Sequence, residues 1–260
     1  MRKHLAAGFV ALAAASFTHS AGAAELRLYG GGHFQGSGKA VAEAFAKKTG
    51  TAASYTPGNT GGGAFARKLK AGEQMDVIVM TSDDMANQVK AGLIRGDSVA
   101  NFARDGMGIA VLKGAPKPDV STPEKLRAAL LAARAVGMQD PDPAHHSGVI
   151  VHQILEKLGV VDAVAKKTVI ITDASSALEA GKVDFSIWSL PELMAQARAK
   201  VDVAGPVPSA VNGYTDESVG ILTSAQNPKE AEEFVRFITS ADGRAAWTKT
   251  GLEPMPKSGD

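Results

Sequence analysis

The chain has 260 residues, of which 45% are hydrophobic and 21% are charged, so it has the composition of a folded protein with one large or two small domains. It contains no cysteine, which excludes disulfides and cysteine-based metal or redox chemistry. Removing Arg2 and Lys3 with the expected leader leaves 26 of the 28 basic residues against 27 acidic ones, a formal charge of −1. No nucleic-acid partner is expected, because phosphate binding needs a basic face.

The first 23 residues have the pattern of a secretory signal peptide. Residues 1–4 are basic, residues 5–17 form an apolar run of mostly small side chains, and Ala21-Gly22-Ala23 provides a small-x-small cleavage site. A membrane anchor is the alternative, but the apolar run is shorter than the roughly 20 residues that a span requires. The sequence therefore predicts an exported mature protein that begins at Ala24.

From Leu26 onwards, short apolar strands alternate with amphipathic helices, which predicts parallel sheets flanked by helices. The expected strands are 26–30, 52–55, 76–81, 107–112, 136–139, 169–172, 185–188, 201–204 and 218–223. Helices are expected to start at the capping residues Ser37, Ser82, Thr122, Asp173 and Asn227. Polar or glycine-rich loops follow the strands of both βα series, so a ligand cleft is expected at these strand ends.

A glycine loop, Asn59 to Gly63, joins the second strand to a helix that carries Phe65 and Leu69 one turn apart. Free backbone N–H groups and the positive end of the helix dipole at such a loop favour an anion. A flexible surface turn is an equally ordinary interpretation of the loop alone. No Gly-Lys-Ser/Thr follows the last glycine, which excludes a nucleotide P-loop.

Several segments resemble the molybdate-binding type of periplasmic solute-binding protein. They are residues 25–34, 61–79, 136–141 and 183–188, and the similarity extends over 24–251. The resemblance implies an α/β fold of the type II periplasmic binding protein class, with two lobes, two mostly parallel sheets flanked by helices, and a hinged cleft. We expect one lobe at 24–107 with 215–260 and the other at 108–214. Crossovers are expected near 105–110 and 205–218, with Val77 and Ile170 in different sheets.

The resemblance also implies a site, and this chain departs from the family pattern there. Relatives of this type hold an oxyanion with serine hydroxyls, backbone N–H groups and a tyrosine. Here His33 occupies the first serine position, glycines replace the second serine cluster, and Trp188 occupies the tyrosine position. The candidate ligand-binding residues are Gly32, His33, Asn59, Gly61, Gly62, Gly63, His145, His146, Ser147, Ser175 and Trp188.

Three functions remain open at this point. The first is delivery of a small anion, an organic carboxylate rather than molybdate, to the membrane subunits of an ABC importer. The second is aconitate isomerase activity, which related secreted proteins possess, with His33, His145 or His146 as the general base. The third is metal binding, which is weaker because no third ligand stands at a telling spacing. A monomer without a cofactor is expected in each case.

Overall fold

The computed structural model describes residues 25–61, 63–142, 146–197 and 200–256, which form a mixed α/β structure. The strands are β1 (Leu26–Gly31), β2 (Ala53–Gly58), β3 (Val77–Thr81), β4 (Ala100–Leu112), β5 (Val136–Met138), β6 (Thr168–Ile170), β7 (Phe185–Ser189), β8 (Val201–Pro206), β9 (Tyr214–Ile221) and β10 (Glu253–Pro254). The helices are α1 (Gln35–Thr49), α2 (Ala64–Lys70), α3 (Ser82–Lys90), α4 (Pro123–Ala132), α5 (His146–Lys157), α6 (Val161–Ala165), α7 (Ala174–Glu179), α8 (Leu190–Gln196), α9 (Pro228–Thr239) and α10 (Ala241–Thr248). Short 3-10 helices occupy Gly32–Phe34 and Gly96–Ser98.

Parallel pairing occurs at the two outer ends of the strand order β2-β1-β3-β9-β4-β7-β5-β6. The strand β1 pairs in parallel with β2 and β3, and β5 pairs in parallel with β6 and β7. The central pairings β3–β9, β9–β4 and β4–β7 are antiparallel. The predicted βα series therefore form the two ends, and the chain crosses between them in the middle.

The long strand β4 connects the two halves of this arrangement. Residues 100–106 pair with β9, whereas residues 107–111 pair with β7, so β4 changes partner between Gly106 and Met107. Hydrogen-bonded pairing therefore runs without a break from Val77 to Ile170. Val77 and Ile170 nevertheless belong to different sheets, as expected, because the first half of β4 pairs in one sheet and its second half pairs in the other. The predicted lobe bounds themselves remain a prediction.

Hydrophobic clusters cover both faces of each half. Around β1, β3 and β9, one cluster contains Phe45 and Phe234 from helices α1 and α9, and another contains Phe65 and Met85 from α2 and α3. Around β5 and β7, one cluster includes α4 and α5, and another includes α7 and α8. Burial of these apolar faces at about 25 cal/mol per Å² is the main force that fixes the helices on the sheet.

Local capping explains most helix starts, with two corrections. Thr122 accepts from the Lys125 amide and Asp173 accepts from the Ser176 amide, as the sequence predicts. The predicted cap Ser82 is instead the first residue of α3, and Thr81 caps this helix by accepting from the Asp84 amide. The prediction that Ser37 caps the first helix is also wrong, because α1 begins at Gln35 after the 3-10 helix. The Ser37 hydroxyl instead lies 2.6 Å from the Thr250 hydroxyl, which joins α1 to the end of α10.

In the part of the chain that the structure describes, no helix is long and apolar enough to cross a membrane. The predicted signal peptide, residues 1–23, lies outside the described residues.

Candidate functional site

His33 lies in the 3-10 helix that follows β1, and its imidazole contacts a buried carboxylate. Its Nε2 is 2.9 Å from Oε1 of Glu217 on β9. The His33 side chain is 26% exposed, whereas the Glu217 side chain is fully buried. The two residues are 184 positions apart in the chain, and the partly accessible imidazole contacts the inaccessible carboxylate directly.

Asp105 of β4 lies next to this pair. Ala103 faces Glu217 across β4 and β9, and Asp105 is two residues further along, so both carboxylates project from the same face of the sheet. Asp105 is 4% exposed, and its Oδ2 accepts a hydrogen bond of 2.8 Å from the Ser189 hydroxyl. The other oxygens, Asp105 Oδ1 and Glu217 Oε2, are buried and have no hydrogen-bond partner among the residues that the structure describes.

The imidazole of His33 is protonated at neutral pH. Burial alone lowers its pKa, but the charge and hydrogen bond of Glu217, together with the charges of Asp105 and Glu192, raise the pKa of His33 to about 9. A histidine in this state donates hydrogen bonds from both ring nitrogens and carries a positive charge.

For Asp105, in contrast to His33, burial is the effect that raises the pKa. Burial raises the pKa of Asp105 to about 7, and the charges of Glu217 and Glu192 add to this effect. The charge of His33 and the hydrogen bond from Ser189 lower it, but they do not compensate. Asp105 therefore changes its charge near neutral pH, as a general acid or base requires.

Arg104 does not neutralise these carboxylates, because it lies on the opposite face of β4. Its guanidinium carbon is 3.8 Å from the centroid of the Tyr214 ring, and its Nη2 donates to Glu253 at 3.1 Å. We refer to His33, Asp105, Glu192 and Glu217 as the His33 cluster. At neutral pH the cluster has one imidazolium against three carboxyl groups, one of which is partly protonated.

The glycine loop is largely closed by its own hydrogen bonds. The Gly61 amide donates to the Asn59 side chain at 2.9 Å, and the Ala64 amide donates to the Gly61 carbonyl at 3.0 Å. Gly63 precedes α2 with φ of +73°, a left-handed conformation that favours glycine. Asn59, Gly63 and Gly32 are exposed, while Gly62 lies outside the described residues.

The candidate residues of the second βα series occupy two further loops. His146 is exposed at the first position of α5, Ser147 follows it, and His145 lies outside the described residues. The Ser175 hydroxyl is buried and donates to Asp173 at 2.9 Å, within the cap of α7. Whether the α5 start and His33 contact one ligand stays a prediction.

Trp188 is 3% exposed and packs in the hydrophobic cluster of α7 and α8. Its indole N–H donates to the Glu192 carboxylate, a member of the His33 cluster. Trp188 thus orients Glu192, and its direct contact with a ligand stays a prediction.

Sequence reasoning identified His33 but missed its carboxylate partners. The expected strands began at Met107 and Ser218, so Asp105 and Glu217 were placed just outside them. A charged residue immediately before an apolar run is the available signal. Burial of two such residues within strands then depends on pairing between β4 and β9, which no local pattern reveals. Within the described residues, no group of three or more histidine, aspartate or glutamate side chains is placed to hold a metal ion.

Comparison with known proteins gives a family match and a relative of similar length. Residues 26–253 match the family described as bacterial extracellular solute-binding protein. An aconitate isomerase from Pseudomonas sp. is 28% identical over 259 residues, which cover 97% of this chain and 96% of that protein. Similarity therefore extends over both chains almost from end to end.

Two solved structures share the fold. The substrate-binding domain assigned to a molybdenum ABC transporter from Clostridium difficile aligns with a TM-score of 0.72 and 14% identity, over 89% of this chain and 99% of that one. The periplasmic molybdate-binding protein of Azotobacter vinelandii aligns with a TM-score of 0.66 and 19% identity, over 89% and 100%. These neighbours confirm the predicted type II periplasmic binding protein fold, and at such identities they show the fold alone.

Proposed function

The chain belongs to the bacterial extracellular solute-binding proteins, and we propose that it is an exported isomerase of a small unsaturated tricarboxylate, with cis- and trans-aconitate as the substrate pair. The observation that carries this proposal is the His33 cluster. A partly exposed imidazolium contacts the buried Glu217, and the buried Asp105 beside them has an oxygen with no hydrogen-bond partner in the described part of the chain. The full-length similarity to an aconitate isomerase supports the same function.

Charge balance separates this proposal from passive anion binding. An anion in a binding cleft is stabilised by neutral donors, helix N-termini and cations. Three carboxyl groups around one imidazolium weaken the binding of any anion, a tricarboxylate substrate included, and desolvation makes each of these carboxyl groups costly. A binder gains nothing from such a cluster, whereas an enzyme that moves a proton needs a base and a charged donor close together.

Isomerisation of aconitate needs no more than this pair of groups. A proton leaves the methylene carbon, the double bond moves to that carbon, and a proton returns to the former vinylic carbon. Negative charge develops on the adjacent carboxylate during the first step, and a fixed positive donor stabilises it. Atoms and charges balance without a cofactor.

We assign roles from the protonation states. His33 holds a proton at neutral pH, so it acts as the donor that contacts a substrate carboxylate instead of as the general base. Asp105 has the free oxygen and the raised pKa of a base that works near neutrality. Glu217 fixes the orientation and charge of His33. Access to Asp105, which is 4% exposed, then requires the two halves to move apart.

The remaining substrate carboxylates need further donors in this proposal. The exposed segment around Asn59 and Gly63 provides backbone groups on one side. His146 and Ser147 at the start of the 12-residue helix α5 provide a helix N-terminus and a hydroxyl on the other side. A substrate with three carboxylates would contact all three positions when the halves close.

The second candidate function is delivery of a small carboxylate to an ABC importer in the periplasm. The fold neighbours named for molybdate and molybdenum transport favour it. The two candidates differ in turnover, since both predict binding of an organic carboxylate in preference to molybdate.

The test is a proton NMR time course of cis-aconitate with the mature protein. We expect trans-aconitate to accumulate, and we expect Asp105→Asn to abolish this turnover while binding of aconitate persists. A thermal-shift panel of molybdate, tungstate, sulfate, citrate and both aconitates runs in parallel, since a ligand at 100 times its Kd stabilises a fold by about 2.7 kcal/mol. Binding of aconitate without turnover would support the importer function. Tight binding of molybdate would refute both.

A further inference from the structure

Two tyrosines hold the loops that follow β1 and β2, and each tyrosine reaches across from the neighbouring strand. Tyr55 on β2 donates its hydroxyl to the carbonyl of Gly31, at the end of β1, at 2.8 Å. Tyr29 on β1 donates its hydroxyl to the carbonyl of Asn59, just after β2, at 3.1 Å. The two strands are parallel neighbours, so the arrangement is reciprocal.

Each tyrosine ring also contacts a phenylalanine at the far side of its loop. The Tyr55 ring packs edge-on against Phe34, with centroids 5.8 Å apart. The Tyr29 ring stacks on Phe65, with centroids 6.2 Å apart. The partners of Tyr55, Gly31 and Phe34, flank His33 in the chain, and the partners of Tyr29, Asn59 and Phe65, flank the glycines of the loop. We call these pairs the Tyr55 clamp (Tyr55 with Gly31 and Phe34) and the Tyr29 clamp (Tyr29 with Asn59 and Phe65).

The two clamps lie on opposite faces of the sheet. Leu28 pairs with Tyr55 and Tyr29 pairs with Thr56, so the two tyrosines project from opposite sides. They accordingly belong to different hydrophobic clusters. Each loop is therefore fixed through contacts that do not involve the other, and the loops can be perturbed separately.

Glycines at two positions leave the space that the tyrosine hydroxyls occupy. A Cβ atom added at Gly58 would lie 2.0 Å from the Tyr29 hydroxyl oxygen, and one added at Gly30 would lie 2.6 Å from the Tyr55 hydroxyl oxygen. Contacts this short are impossible for ordinary side chains. Glycine at these two positions is therefore required for the tyrosine hydroxyls to reach the ends of the neighbouring strands.

We propose that Tyr55 and Tyr29 are positioning residues of the site, Tyr55 for His33 and Tyr29 for the loop that binds a substrate carboxylate. The inference rests on the proposed function for its kinetic part only. Packing alone would be served by phenylalanine, which fills the same space without a buried hydroxyl that requires a partner. Burial raises the pKa of both tyrosines, so each stays protonated and remains a donor.

The test replaces each tyrosine with phenylalanine, which keeps the ring and removes the hydroxyl. The chain has three tyrosines, and Tyr214→Phe is the matched control because its ring stacks on Arg104 on the face away from the His33 cluster. The first readout is the NMR titration of the His33 imidazole, assigned by comparison with His33→Gln. It requires no turnover. We expect Tyr55→Phe to move the midpoint by at least about half a pH unit towards 6.5, and we expect Tyr29→Phe and Tyr214→Phe to leave it unchanged.

The second readout is steady-state kinetics with cis-aconitate. Loss of one hydrogen bond corresponds to a change of roughly three- to tenfold. We expect kcat to fall by this factor in Tyr55→Phe and KM to rise by this factor in Tyr29→Phe. Tyr214→Phe should keep the wild-type values of both.

The outcomes separate the two proposals. If the wild-type protein turns over neither aconitate, the isomerase function fails, but the titration still decides whether Tyr55 positions His33. If turnover occurs and Tyr55→Phe has the wild-type titration and kinetics, the positioning role is refuted. Equal effects of Tyr55→Phe and Tyr29→Phe on the His33 midpoint would also refute it, because that result indicates general loosening of the fold. Thermal melts of all three variants show whether the fold is retained.

Discussion

Replacing Glu217 with glutamine tests the central ion pair of the site. The substitution keeps the size of the side chain and removes its charge. Glu217 is the largest of the influences that raise the pKa of His33, and burial opposes them. Without the carboxylate, we expect the pKa of His33 to fall to its ordinary value of about 6.5 or below, so that the imidazole is mostly neutral at pH 7.

The magnitude follows from the two protonation states. A rise from 6.5 to about 9 corresponds to about 3 kcal/mol of preference for the protonated form in the folded protein. Because the folded-state pKa lies above the unfolded value, this contribution to stability is fully present below pH 6.5 and is lost as the pH rises through 9. The stability advantage of the wild type over Glu217→Gln should therefore shrink by up to about 3 kcal/mol between pH 6.5 and 9.5.

Two measurements check this expectation. Histidine NMR titrations give the midpoint of His33 in both proteins, and urea unfolding at pH 6.5, 8 and 9.5 gives the free energies of unfolding. Glu156→Gln is the matched control, because Glu156 contacts the surface residue His152 at 3.5 Å and both side chains are exposed. Such a pair contributes at most about 0.5 kcal/mol. A wild-type midpoint below 7, or equal midpoints in the wild type and Glu217→Gln, would refute the assignment of His33 as a permanent cation at neutral pH.

Three further predictions concern the carboxylates and the glycine loop. Asp105→Asn should be more stable than the wild type above pH 7, and this advantage should be smaller below pH 4. The pKa of Asp105 is raised, so the stability that the wild type gains from a protonated Asp105 is lost as the pH rises from 3.8 through 7. Urea unfolding at pH 4 and 8 measures the difference. Asp76→Ala should cost about 3 kcal/mol in urea unfolding at pH 7, since this fully buried carboxylate accepts from Arg27, Gln226 and Asn227. Burial raises the pKa of Asp76, but these hydrogen bonds outweigh burial and lower it, so the part of the cost that depends on the charge is present above pH 3.8 and should be lost as the pH falls below that value. Gly63→Ala should lower the free energy of unfolding by about 1 kcal/mol, because φ of +73° strains any residue with a Cβ; a melt unchanged from wild type would contradict the conformation of this loop.

The sequence predicts the elements well where the hydrophobic pattern and the caps agree. The run from Val77 to Thr81 is mostly apolar and β-branched, and β3 spans these residues, one fewer than the predicted strand 76–81. Helix α4 begins at Pro123 with Thr122 as its cap, as its Thr-Pro start predicts. Both signals are local, because a strand or a helix end is specified by residues within about one turn or one strand length.

The site was only half predictable, since its parts come from distant strands. His33 is visible from the sequence as a titratable residue in a glycine loop at a strand end. Glu217 is not, because its burial depends on the antiparallel pairing of β9 with β3 and β4. A hydrophobicity pattern places charged residues outside strands, and it fails where a functional carboxylate replaces an apolar residue inside one.

The position of Asp105 relates the chemistry to the motion that the fold allows. Asp105 precedes the point where β4 changes partner from β9 to β7, and its hydrogen bond to Ser189 joins the two halves there. In the mechanism that we propose, the substrate reaches Asp105 when the halves are apart, and this base, which titrates near pH 7, is shielded from solvent once they close. The cost of burying it is then part of the proposed mechanism, because a fully solvated carboxylate would have its ordinary pKa and would be a much weaker base.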